Sequence, residues 1–221
     1  TPEVAGTYRW RSVCADARDA GLHGVEGVLE VAAGEGKESA NVLVRHGAVR
    51  MAEGGKGFAH ADGTPFFWLG DTWWMVMTDR VRWPDGFRML TADRVAKGFT
   101  VAQVVAGFQP DTVPFGGQDS NAGGTPWEKE YRRINPAYFD EVDAKIGWLA
   151  RSGIVPCILG GWGYHLVFMG EERMRAHWKY LVARYGAYPV IWCMAGEVGM
   201  AYYLSKNGQQ ESKEQIAAWT R

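Results

Sequence analysis

From residue 58 onward, short and mostly apolar runs alternate with longer stretches in which apolar residues return every third or fourth position. The runs cover 66–69, 99–106, 154–159 and 190–194. Each has the length of a strand and is too short for an ordinary helix, so each predicts a buried strand. The last is the sharpest. Pro189 marks its entry, Val190 to Met194 are all apolar, and Ala195 and Gly196 leave room beside Glu197. The longer stretches predict helices. Phe87, Leu90, Val95 and Ala96 set one over 85–97, and Phe139, Val142, Ile146 and Leu149 a second over 136–151. Met174, Trp178, Leu181 and Tyr185 set a third over 171–185, and another begins at 213–221. Asn135-Pro136 supplies an N-cap followed by proline at the first helical position, and Gly153 closes that helix.

Strand and helix alternate four times, which predicts parallel βα units. The expected fold is α/β, a (β/α)8 TIM barrel of which this chain holds about the first four units. An open doubly wound sheet is the rival, and it would place a glycine-rich phosphate loop after its first strand; Gly70-Asp-Thr-Trp-Trp74 has no such pattern. Upstream, 7–13 and 24–31 alternate as strands do around a polar turn at 15–21. A lone hairpin is not stable, so residues 1–40 are expected to be the C-terminal strands of a β-sandwich. Residues 41–57 are then a linker, and 58–221 the N-terminal half of the barrel. Residues 107–135, rich in Gly, Pro, Asp and Asn, form a connection long enough to be functional or poorly ordered.

The 24 basic and 25 acidic residues are well mixed, so there is no electrostatic footprint for nucleic acid or an anionic membrane. A neutral or small polar partner fits better. Eleven tryptophans supply flat surfaces on which sugar rings stack, against the simpler reading of tryptophan as core filler. Cys14, Cys157 and Cys193 are odd in number and lack metal-ligand spacing, so neither a disulfide framework nor a metal or other cofactor is expected. No run approaches the length of a membrane span. The absence of an initiator Met suggests a processed or trimmed product.

The residues just past each predicted strand share one rim. They are Asp71, Trp73 and Trp74; Phe108, Gln109 and Asp111; Trp162, Tyr164 and His165; and Glu197. Acids, an amide, a histidine and aromatics on one face suit a sugar pocket, because hydroxyls take polar partners and sugar faces take aromatic platforms. Each has a plainer reading. Glu197 can be a satisfied carboxylate, Asp71 a turn cap, and His165 a packing histidine. Trp73 and Trp74 are adjacent, so at most one faces the pocket. Asp111, Asp119 and Asn121 lack the spacing of a calcium loop and read as turn residues.

Phe66-Phe-Trp-Leu-Gly-Asp-Thr-Trp-Trp74, Gly98-Phe-Thr-Val-Ala-Gln-Val-Val105 and Trp192-Cys-Met-Ala-Gly-Glu197 resemble the apiosidase-like glycoside hydrolases, a TIM-barrel family related to a large retaining clan. Gly6-Thr-Tyr-Arg-Trp-Arg11 with Gly21-Leu-His-Gly-Val-Glu-Gly27 is similar to the β-sandwich that often precedes that barrel. The resemblance implies a glycosidase acting on a plant or cell-wall polysaccharide side chain, with Glu197 as acid/base and Asp71 among the sugar contacts. Trp162 and Trp192 are expected to bury Glu197. Gly196 stands where the related clan has Asn. The partner carboxylate of that clan lies on a late strand, so the remainder of the barrel beyond Arg221 is an expected partner and the chain alone is expected to be inactive. The expected location is secreted or periplasmic in a bacterium. The alternative is a non-catalytic carbohydrate-binding protein on the same scaffold.

Overall fold

The computed structural model describes residues 4–32, 36–198 and 213–218. The first two strands, β1 (Gly6–Arg11) and β2 (Glu26–Val31), pair antiparallel from Gly6↔Val31 to Arg11↔Glu26. Trp10, Val28 and Leu29 of this ribbon are exposed. No third strand joins it among the described residues, so the expected sandwich is not formed by them.

The segment expected to be a linker is instead built into the fold. Asn41 caps α1 (Val42–Arg45) by accepting the Leu43 N–H at 2.9 Å, and its amide donates to the Ala150 and Arg151 carbonyls at 2.8 and 3.1 Å. Strands β3 (Val49–Met51), β4 (Phe58–His60) and β5 (Pro65–Phe66) then form a small antiparallel sheet in that order. This corrects the predicted first barrel strand. Phe66 pairs with Phe58 of β4, Phe67 is exposed, and the first parallel strand starts only at β6 (Gly70–Trp73). Thr100 fixes the step between the two: its hydroxyl donates to the Phe67 carbonyl at 2.7 Å and accepts the Leu69 N–H at 3.0 Å.

The alternation then follows the predicted order: α2 (Asp85–Ala96), β7 (Val101–Val105), α3 (Pro136–Arg151), β8 (Val155–Leu159), α4 (His165–Met169), α5 (Glu171–Tyr185), β9 (Ile191–Cys193) and α6 (Lys213–Ala218). Strands β6-β7-β8-β9 form one parallel sheet in chain order. β9 is half-buried rather than covered on both faces, because it is the edge of the sheet among the described residues.

Period-two alternation gives the sheet two packed faces. Trp73, Ala102, Val104 and Ile158 meet Phe87 of α2, Phe139, Val142, Ile146 and Leu149 of α3, and Leu181 and Tyr185 of α5. On the opposite face Val101, Val155 and Cys157 meet Leu43 and Phe66. Val101 and Val155 open their strands, so α1 and the antiparallel sheet close the floor beneath the N-terminal ends. Higher on that face Val105 and Leu159 pack with Trp162 and Tyr164, which belong to the loop above β8.

The loops over the C-terminal ends are held by buried polar groups. Lys145 of α3 is fully buried, and its ammonium donates to the Val76, Val81 and Thr78 carbonyls at 2.8, 3.1 and 3.3 Å. Glu141 pairs with it at 2.7 Å. Burial pushes the Lys145 ammonium below its ordinary pKa, and Glu141 works against that shift. The long 107–135 connection is equally well tied. Asn121 donates to the Tyr138 and Met77 carbonyls at 2.9 and 3.3 Å, and Asn135 to the Gly123 and Thr125 carbonyls at 2.8 and 2.9 Å. The buried Asp119 carboxyl accepts the Gln109 N–H and the Thr112 hydroxyl at 2.9 and 2.7 Å. His177 of α5 accepts the Trp127 indole N–H at 3.2 Å and donates from Nε2 to the Gly160 carbonyl at 2.7 Å, joining this connection to the end of β8.

Lys145→Met leaves Glu141 and three carbonyls without their cation, and is expected to cost about 3 kcal/mol or more, read as a lower urea midpoint. Adding Glu141→Leu should recover part of that loss, and a double variant no better than the single one would contradict the pairing. The buried imidazoles give a pH dependence. Burial pushes His177 down to about 4 and His165 to about 3. Both are neutral in the fold at pH 7, whereas in the unfolded chain they protonate near pH ~6.5. Their contribution is complete above that pH and is lost as pH falls toward the folded values. Denaturation at pH 7.5 and pH 5 should show lower stability at pH 5, with a smaller difference in His177→Gln; an unchanged difference would remove His177 from this account.

Candidate active site

The register pairs Trp73 with Val104, Val105 with Leu159, and Leu159 with Cys193, so the C-terminal ends of the four strands stand level. The loops above β8 and β9 continue the pairing by one step. Gly163 N–H donates to the Gly196 carbonyl at 2.7 Å, Gly196 N–H to the Gly161 carbonyl at 3.3 Å, and Trp162 and Gly196 form a parallel bridge. The Trp162 ring lies across Gly196 so closely that a Cβ there would stand 2.4 Å from it. From this position the indole N–H donates to Oε2 of Glu197 at 2.8 Å. Trp74 meets Trp162 edge to face, with ring centroids 5.3 Å apart. Trp162 is only 6% exposed, Trp74 is 36% exposed, and Glu197 is open to solvent. Glu197, Trp162 and Trp74 therefore form one acid-and-indole cluster above the sheet.

The other expected site residues divide between support and core. Gln109 is fully buried. Its carbonyl accepts the Met75 N–H at 3.0 Å and its amide donates to the Val105 and Gly107 carbonyls at 3.2 Å, so it shapes the backbone that carries Trp74. Tyr164 is buried, and its hydroxyl accepts the Asp111 N–H at 3.0 Å. His165 is buried and accepts the Trp162 backbone N–H on Nδ1 at 3.1 Å. It acts as a neutral anchor beneath the rim. Of the adjacent pair, Trp74 faces the cluster, whereas Trp73 is buried against Phe87.

Asp71 does not reach the rim. The parallel strand starts at Gly70, so Asp71 lies inside β6 on the helix-facing side, where its carboxylate accepts Arg94 Nε of α2 at 2.5 Å. Burial opposes its ionisation, but the Arg94 hydrogen bond and charge hold the carboxyl below its ordinary range. Trp192 likewise turns away from Glu197 and packs on Trp178 of α5. Glu197 keeps Trp162 as a hydrogen-bond partner but is exposed, so the two tryptophans do not bury it as expected.

The sequence reading assigned Asp111 to a turn. It stands exposed in the loop after β7, and partial burial together with the Glu197 charge pushes its carboxyl above the usual range. The Glu197 charge thus reaches Asp111 across the β8 loop. Three rim residues hold left-handed backbone without being glycine: Met75 at φ 64°, Asp111 at φ 60° and Glu197 at φ 51°. Such conformations are costly and concentrate at functional sites. Among the described residues no group of three His, Cys, Asp or Glu side chains could hold a metal ion.

Solved structures that share the fold of this chain include the following three. One, "Glycoside hydrolase", is 24% identical with a TM-score of 0.57, over 78% of this chain and 36% of that one. A family 5 glycoside hydrolase from Bacteroides vulgatus ATCC 8482 is 23% identical with a TM-score of 0.55, over 79% of this chain and 36% of its own. A putative glycoside hydrolase from the same organism is 21% identical with a TM-score of 0.62, over 99% and 42%. The chain thus spans 36–42% of the length of these structures. No curated protein matches it. The model of the family described as "Apiosidase-like, catalytic domain" matches residues 52–221, and through that match, which covers most of its length, the chain belongs to the apiosidase-like catalytic domain family.

Proposed function

We propose that the protein is a glycoside hydrolase acting on a side chain of a plant or cell-wall polysaccharide, with Glu197 as the general acid/base of a retaining mechanism. The observation that carries this reading is the exposed Glu197 carboxylate above the end of β9, set on Trp162 with Trp74 beside it. Membership of the apiosidase-like family supports the substrate class.

The chemistry follows from the parts. A sugar presents a C–H face that packs on an indole and hydroxyls that take polar partners. Leaving-group departure needs a proton delivered to the glycosidic oxygen, the task of a carboxyl group on one side of the bond. Oε2 of Glu197 is occupied by the indole N–H, so the proton is carried on Oε1. Retention needs a second carboxyl about 5–5.5 Å away as nucleophile. In this reading it comes from a later strand of the barrel, and Asp111 accepts a hydroxyl of the bound sugar.

Glu197→Gln in the full-length protein should lower kcat on an apiose-containing oligosaccharide by roughly 10²–10⁴-fold. The loss should be much smaller on 4-nitrophenyl apioside for the bond-breaking step, read as a pre-steady-state burst, because nitrophenolate leaves without a proton. Undiminished turnover of the oligosaccharide would remove Glu197 from the mechanism. Trp74→Ala should raise KM about tenfold, equivalent to about 1.4 kcal/mol of lost binding, with little change in kcat. An unchanged KM would exclude Trp74 as a sugar platform.

A further inference from the structure

Glu197 is exposed, and an exposed glutamate is ordinarily free to sample its rotamers. A proton donor gains from having one oxygen in one place, since a displacement of about 1 Å costs on the order of 10²-fold in rate. Trp162 meets that need. An indole is a donor only, so it contacts a carboxylate through one oxygen, and here that oxygen is Oε2 at 2.8 Å.

The indole is itself fixed from four sides. Its backbone N–H is taken by Nδ1 of His165 at 3.1 Å, and its strand segment is bridged to Gly196. Its ring face covers the Gly196 backbone, and its ring meets Trp74 edge to face at 5.3 Å. His165 is 1% exposed and stays neutral, so its acceptor nitrogen is present throughout the working pH range.

We propose that Trp162 is the positioning residue of the site: it holds Oε2 of Glu197 so that Oε1 meets the glycosidic oxygen, and Gly196 is glycine so that the indole can lie there. The proposal rests on the reading of Glu197 as acid/base and adds to it the group that aims the acid. It also accounts for the residue before the acid. Any side chain at 196 begins with a Cβ 2.4 Å from the Trp162 ring, so the indole and a larger residue 196 exclude one another.

The test compares Trp162→Phe, Gly196→Ala, Glu197→Gln and Trp162→Phe/Glu197→Gln in the full-length protein, with an apiose-containing oligosaccharide as substrate. Trp162→Phe keeps a ring over Gly196 and loses the N–H. It should lower kcat by 10- to 100-fold, leave KM within about threefold, and unfold within a few degrees of the parent. Gly196→Ala reaches the same contact from the other side and should lower kcat in the same way, which keeps the test decisive if the Phe variant folds poorly. The double variant should be no slower than Glu197→Gln alone, because the indole acts only through that carboxylate. Wild-type kcat in Trp162→Phe, or losses that simply multiply in the double variant, would overturn the positioning role while leaving Glu197 in place. Wild-type turnover by Glu197→Gln would instead overturn the acid/base reading beneath it.

Discussion

The constraint on which the upper half of the molecule depends is the enclosure of one ammonium group. Lys145 of α3 is buried with Glu141 and three carbonyls of the segment that follows β6. A buried cation cannot be left partly satisfied without large cost, so that segment has one arrangement and not several. It carries Trp74, which sets the edge of Trp162, which holds Glu197. A helix-to-loop contact beneath the surface is thus linked through two tryptophans to an exposed carboxylate. Gln109, Asn121, Asn135 and His177 extend the same device to the 107–135 connection, each giving its polar atoms to backbone or to another buried side chain.

The sheet–helix layer was legible because it follows from burial alone. Apolar runs at 99–106, 154–159 and 190–194 contain β7, β8 and β9, and the helices over 85–97, 136–151 and 171–185 are those observed. The first strand was misplaced. Phe66 to Leu69 has the composition of a buried strand, but Phe66 belongs to the antiparallel floor and Gly70 opens the parallel sheet. Composition does not distinguish two sheets that meet at a kink, and the Thr100 contacts that fix the kink lie 31 and 33 residues away.

That displacement also explains which site residues were misread. Moving the strand start to Gly70 places Asp71 and Trp73 within β6 on the helix side, and leaves Trp74 at the rim. Gln109, Tyr164 and His165 were legible as residues of the rim but not in their roles. Whether a polar side chain faces solvent or bonds its own backbone depends on contacts such as Gln109 with Met75 and Tyr164 with Asp111. Asp111 and Glu197 belong to different strand ends, and only the folded sheet brings them within electrostatic reach.

The left-handed residues have a further consequence. Among the described residues, all six non-glycine residues at positive φ, namely Met75, Asp111, Phe115, Glu130, Tyr131 and Glu197, lie in connections that follow a parallel strand; none lies in a segment leading into one. The two ends of the sheet therefore differ in backbone, regular beneath and locally left-handed above. At the exposed Asp111 and Glu197 a glycine would relax the backbone but remove the carboxylate presented there, whereas at the buried Tyr131 it would remove packing against Phe108 and Trp127. Relieving that tension at Asp111 or Glu197 would exchange a rim carboxylate for an easier backbone, so changes made for heat resistance are better confined to the floor.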